Sequence, residues 1–130
     1  MREIEQATNP ESLRILLGPG KGRRALRSAP LSIGESPYWW AAARILKTEN
    51  KISEAVVLLQ GPLGEPRRLG VIEAALLSGE LSDADEVLDA VKDLVECEDD
   101  DEGSAAAKSF LAGWICADVV GRCLKNPGNG

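Results

Sequence analysis

The sequence YWWAAARILKTENKISEAVVLLQ, residues 38 to 60, joins two apolar runs through the polar stretch KTENK. Ser36 and Pro37 precede it as a cap and first-turn pair, and Ala, Leu, Arg and Lys, all strong helix formers, fill its first half. Trp39, Ala42, Ala43 and Leu46 recur at helical spacing. Ser53 stands where a second N-cap would, with Glu54 behind it, and EAVVLLQ runs on until Gly61 and Pro62 stop it. The pattern predicts two helices joined by a tight turn at Asn50.

Much the same pattern recurs downstream. In SGELSDADEVLDAV, residues 78 to 91, Gly79, Leu81, Ser82, Asp83 and Ala84 fall on Asn50, Ile52, Ser53, Glu54 and Ala55, and Val87-Leu88 falls on Leu58-Leu59. Each copy reads as a helix, a turn and a second helix begun by a Ser cap, with a small Ala where two helices approach closely. The period, from Asn50 to Gly79, lies within the roughly 20 to 50 residues of stacked repeats that bury apolar faces against their neighbours.

On the residues Gly79, Leu81, Asp83 and Ala84, and again Asn50, Ile52, Glu54 and Ala55, the chain resembles tetratricopeptide repeats over residues 37 to 96. The resemblance implies a scaffold or chaperone, not an enzyme, that grips a peptide or a partner helix.

The expected fold is therefore all-α: antiparallel helical hairpins stacked as a short α-solenoid or helical bundle. Punctuation by Gly and Pro divides the single domain 1–130 into a basic N-terminal segment with short helices (1–35), two helix-turn-helix repeats (36–97), an acidic linker (98–103) and a C-terminal capping helix (104–125). Pro10 to Leu17 and Lys21 to Ser28 are the short helices. DADEVLDAVKDLVECE, from Asp83, carries Ala84, Val87, Leu88, Val91, Leu94 and Val95 in steps of three and four, with acids crowding its first turn as the helix dipole favours. Ser109, Gly113, Ala117 and Gly121 repeat every fourth residue on the last helix, a spacing that permits close helix packing.

Composition narrows the chemistry. At 130 residues, with 44% hydrophobic and 28% charged content, the chain can build a core without metal or disulfide staples. Histidine is absent, which removes the commonest general base and zinc ligand. Cys97, Cys116 and Cys123 form no Cys-x-x-Cys pair and suit reduced, buried thiols. No apolar run is long enough to span a bilayer, and MREIEQATNPE lacks a secretory signal, so the expected location is the cytoplasm. Residues 1 to 50 hold eight Lys/Arg against five Asp/Glu, whereas the remainder holds seven against sixteen. The acidic second half repels phosphate backbones and leaves only the N-terminal part as a nucleic-acid candidate.

No catalytic constellation, metal site or cofactor site is expected. GPGKGRR, residues 18 to 24, lacks the Walker spacing of a phosphate loop, and ECEDDDEG, residues 96 to 103, lacks the alternating ligands of a calcium loop and reads as a solvated linker. Two groups remain as partner-binding candidates. Tyr38, Trp39 and Trp40 form an aromatic cluster in which one of two adjacent Trp must lie at a boundary. Lys21, Arg23, Arg24 and Arg27 form a basic cluster suited to an acidic partner or an RNA backbone. The expected function is a non-catalytic interaction module, an adaptor or assembly chaperone, working as monomer or homodimer, with a small nucleic-acid-associated factor as the alternative.

Overall fold

Residues 39 to 60 are two antiparallel strands, not two helices. In the computed structural model, which describes residues 10–62, 64–101 and 103–125, β1 (Arg23–Ala29), β2 (Trp39–Thr48), β3 (Lys51–Gln60) and β4 (Arg67–Arg68) form one antiparallel sheet in the order β1-β2-β3-β4. Thr48 pairs with Lys51, and the two residues between them, Glu49 and Asn50, have φ of 55° and 70°. Two left-handed residues in a two-residue loop match the twist of the flanking strands, so KTENK is a hairpin turn. The β-branched and aromatic residues of the two runs, Trp39, Trp40, Ile45, Ile52, Val56 and Val57, fit a pleated surface well.

The helical reading fails here because both faces of the hairpin are covered. Ala41, Ala43, Ile45, Val57 and Leu59 belong to the main core on one side, while Ala42, Val56 and Leu58 pack with Leu13 and Leu17 on the other. A strand buried on both sides loses its alternation and becomes a continuous apolar run, which periodicity alone does not distinguish from a buried helix.

One short helix, α1 (Pro10–Leu17), covers the second face through Leu13 and Leu17. On the other side, α2 (Gly70–Ser78) and α4 (Ala105–Lys125) lie on the main face, and α3 (Ala84–Leu94) packs against α4 within the same core. Ala41 and Ala43 leave room for α4 to settle close to β2. Between α3 and α4 the approach is tighter still: a Cβ on Gly113 would lie 2.6 Å from the Leu88 carbonyl oxygen, and one on Gly121 would lie 3.3 Å from the Ala84 Cβ. Asp83, one residue after the expected Ser82, caps α3 by accepting from the Glu86 N–H at 2.9 Å, while Glu86 accepts from the Ser82 N–H at 2.8 Å.

This architecture corrects the all-α solenoid and the likeness to tetratricopeptide repeats. Over 36–97 a β-hairpin stands where the first helix-turn-helix was expected, and β4, α2 and α3 follow it. The two copies match because Asn50 and Gly79 share a positive φ, 70° and 89°, not because they share an element. Asn50 closes a hairpin, whereas Gly79 ends α2 with its N–H donating to the Leu76 carbonyl. Ser53 is likewise not a cap. Leu46 pairs with Glu54 and Lys47 with Ile52, leaving Ser53 as the extra residue of a β-bulge. Residues 21 to 28, read as a basic helix, lead into and form most of β1.

The acidic run is folded at Asp99, Asp100 and Gly103. Asp100 and Gly103 exchange backbone hydrogen bonds at 3.0 and 3.2 Å, and Asp99 Oδ1 accepts from the Ala105 N–H at the start of α4. Lys108, almost wholly buried, ties this turn down through Asp100 and the Glu98 carbonyl.

Candidate interaction surface

β1 pairs with β2 along one edge and with no other described strand along its second edge. Beside that edge runs α4, whose residues 110, 114 and 118 recur every fourth position and so share a helix face. Arg27 of β1 reaches this face. Its Nη1 lies 3.2 Å from Asp118 Oδ2, an oxygen that also accepts from Arg122 Nε at 2.8 Å, and its guanidinium carbon sits 4.9 Å from the centroid of the Trp114 ring. A cation held both by a carboxylate and over an aromatic face keeps its orientation while remaining 39% exposed. Phe110, half exposed, completes an open cleft of about 370 Å³ with Ala29, Pro30, Leu111 and Trp114. The chemistry offered is an apolar, aromatic hollow with a fixed cation at its rim, next to unpaired sheet edge.

The expected partner-binding residues divide between the two sheet faces. On the α4 side lie Tyr38, Trp39 and Arg27. Trp39 is a core residue: its Nε1 donates to the Lys108 carbonyl at 3.0 Å, and the Tyr38 ring meets it edge-on at 5.3 Å. Lys108 Nζ is 5.8 Å from the Tyr38 centroid. Arg23 belongs to the same strand, and its carbonyl accepts from the Cys123 thiol at 3.4 Å. On the opposite face, Trp40 packs against the Leu13 and Leu17 cluster, with its Nε1 buried and without a hydrogen-bond partner among the described residues.

Lys21 belongs to the GPGKG turn on that opposite side, and Arg24, in β1, reaches back to it. Arg24 Nη2 donates to the Gly18 and Gly20 carbonyls, each at 2.6 Å. Buried Arg44 holds the same segment, donating to the Leu17 carbonyl at 2.7 Å and the Lys21 carbonyl at 3.1 Å, and pairing with Glu54 at 2.9 Å. The turn thus presents its carbonyls inward to guanidinium groups. With Arg24 on carbonyls and Arg27 on Asp118 and Trp114, the basic cluster is not a free stripe for a phosphate backbone, and the nucleic-acid reading loses its support. Phe110, Trp114 and Asp118 were not among the residues expected to bind a partner, although their four-residue spacing carries the signal.

Cys116 and Cys123 are inert. Burial pushes Cys116 up to about 12 and Cys123 up to about 11, so both stay protonated near neutrality. Among the described residues no group of three or more His, Cys, Asp or Glu side chains is placed to hold a metal ion, and no helix is long and apolar enough to cross a membrane.

No protein-family model matches the sequence, and no curated protein does. Solved structures do match. Quinoline 2-oxidoreductase from Pseudomonas putida 86 is similar with a TM-score of 0.66 and 17% identity, over 80% of this chain and 37% of that one. The fold is one found in oxidoreductase chains. Carbon monoxide dehydrogenase from Hydrogenophaga pseudoflava, in a form lacking the Mo-pyranopterin moiety of its molybdenum cofactor, is similar with a TM-score of 0.62 and 22% identity, over 78% of this chain and 36% of that one. Reconstituted CO dehydrogenase from Oligotropha carboxidovorans follows with a TM-score of 0.61 and 17% identity, over 78% and 36%. The chain spans little more than a third of the length of these neighbours. Their shared fold overturns the non-catalytic adaptor expected from the helical repeat, the acidic second half and the lack of a catalytic constellation, and with it the expectation of a chain unconnected with any enzyme.

Proposed function

We propose that this chain is a domain of an oxidoreductase, packed against the portion of the enzyme that carries the redox cofactor, a molybdenum cofactor being named for one of the similar chains. The observation that carries the reading is the coverage: about four-fifths of this chain superposes on just over a third of each of several redox chains, so the same unit recurs as one part of larger oxidoreductases. The free edge of β1 and the cleft of Arg27, Phe110 and Trp114 supply the surface for that packing, with a protein as the partner. Three free thiols suit a reducing compartment, and the cytoplasm remains the proposed location.

Native purification of the tagged chain from its host tests this. The reading expects a stoichiometric partner with a visible redox absorbance, molybdenum by elemental analysis and reduction of an artificial electron acceptor, with release of the partner in the double variant Arg27→Glu, Trp114→Ala. A chain that elutes alone, or with a colourless partner inert toward the dye, overturns it.

A further inference from the structure

The bulge at Ser53 builds a second cleft, remote in character from the first. Because Ser53 is the extra residue, the strand's alternation shifts by one and Ile52 turns onto the helix-covered face with Ala55 and Val57, where it packs against the main core. The Ser53 hydroxyl locks the bulge, donating to the Leu46 carbonyl at 3.2 Å and lying 3.0 Å from Thr48 Oγ1. Opposite, Gly79 at φ 89° reverses the chain after α2, and the Leu81 N–H returns to the Ala75 carbonyl at 3.1 Å, which sets Leu81 facing the hairpin. Ile52, Leu76, Leu81 and Leu124 thus line a hollow of about 390 Å³ at the end of the sheet, within the size range of small-molecule sites.

Lys47 and Lys51 stand on the wall of this hollow. Among the described residues no acidic side chain lines it, in a chain with 21 Asp/Glu and 15 Lys/Arg, and neither lysine has an ion-pair partner. An apolar floor with two lysines of the hairpin end among its lining residues is complementary to one kind of small molecule: an aliphatic body ending in an anion. We propose that the hairpin-end cleft is a binding site for a medium-chain aliphatic carboxylate, its tail on Ile52, Leu76 and Leu81 and its carboxylate between Lys47 and Lys51. This site does not depend on the redox reading, and either one stands if the other falls.

The test uses the full 130-residue chain, isotopically labelled, with hexanoate, octanoate and decanoate followed by amide chemical shifts. The expected result is saturable shifts centred on Lys47, Lys51, Gly79 and Leu81, with affinity rising roughly fourfold per added methylene. Octanol and octylammonium serve as charge controls, and acetate as the tail control. Lys47→Glu with Lys51→Glu is expected to weaken octanoate at least tenfold while the remaining resonances keep their dispersion. Equal shifts from octanol and octanoate, or no dependence on chain length in the unaltered protein, overturn the proposal. The chain-length series decides the matter even if the charge-reversed variant does not fold.

Discussion

Lys108 and Asp100 form an ion pair with Nζ to Oδ2 at 2.5 Å in which the lysine side chain is 2% exposed and the carboxylate 50% exposed. The cation is the inner partner and the anion the outer one, so the acidic turn is drawn onto the body of the protein by a single buried amine that also donates to the Glu98 carbonyl at 2.9 Å. Hydrogen bonding to Asp100 raises the Lys108 pKa above its ordinary value, against the opposing effect of burial. The proton is therefore held more tightly in the folded state than in the unfolded one.

That sign sets a pH dependence. The stabilisation from Lys108 is fully present below the unfolded lysine value near 10.5 and is lost as pH rises through the higher folded value. Urea midpoints of the unaltered chain and of Lys108→Met, measured across a pH series, are expected to differ by a constant amount up to that point and to converge above it. A difference that widens in alkali would contradict the assignment.

Arg44 anchors α1 and the turn after it by holding the Leu17 and Lys21 carbonyls and Glu54. Replacing it by Met keeps the bulk but leaves inward-facing carbonyls without a donor, at a cost of about 2 kcal/mol. Arg44→Met is expected to lower stability by that order in urea titration and to speed trypsin cleavage after Lys21. Unchanged cleavage would mean that the GPGKG turn is held by other contacts.

Gly113 and Gly121 differ although both lie on α4 against α3. Gly113→Ala must move the Leu88 carbonyl or part the helices, because the new Cβ would stand 2.6 Å from that oxygen. A destabilisation of about 1–3 kcal/mol is expected, outweighing the gain of about 1 kcal/mol in helix propensity. For Gly121→Ala the contact is with the Ala84 Cβ at 3.3 Å, and the two effects are expected to cancel to near neutrality. Thermal or urea denaturation of the pair separates them, and equal losses would refute the difference in packing.

Asn50 and Gly79 invite a paired substitution. Both backbones are left-handed, so Asn50→Val is expected to cost about 1–2 kcal/mol and Gly79→Ala about 1 kcal/mol. Only the first should alter the hairpin: amide exchange is expected to quicken at Thr48 and Lys51 in Asn50→Val and to stay slow there in Gly79→Ala. Matching exchange patterns would restore the idea that the two turns are equivalent.

Several elements were legible in the chain. Pro10 to Leu17, the stripe beginning at Ala84 and the long helix after Ser104 all form as helices, since each presents one apolar face at a helical period or a capped start that needs no distant partner to be recognised. The turn positions also stood out, because Asn50 and Gly79 answer a local steric demand. Of the residues lining the candidate surface, only Arg27 was among those expected to bind a partner. Phe110, Trp114 and Asp118 gain their meaning from β1 lying alongside α4, a neighbour 91 residues away in the chain for Arg27 and Asp118.

What the amino-acid sequence settled by itself was local: the turns at Asn50 and Gly79, the helices at Pro10, Ala84 and Ala105, and the absence of histidine. The state of residues 39 to 60 was decided only in three dimensions. Alanine, leucine and arginine there favour a helix in isolation, but α1 on one side and α4 on the other bury both faces of a hairpin, and that burial outweighs a propensity of a few tenths of a kcal/mol per residue.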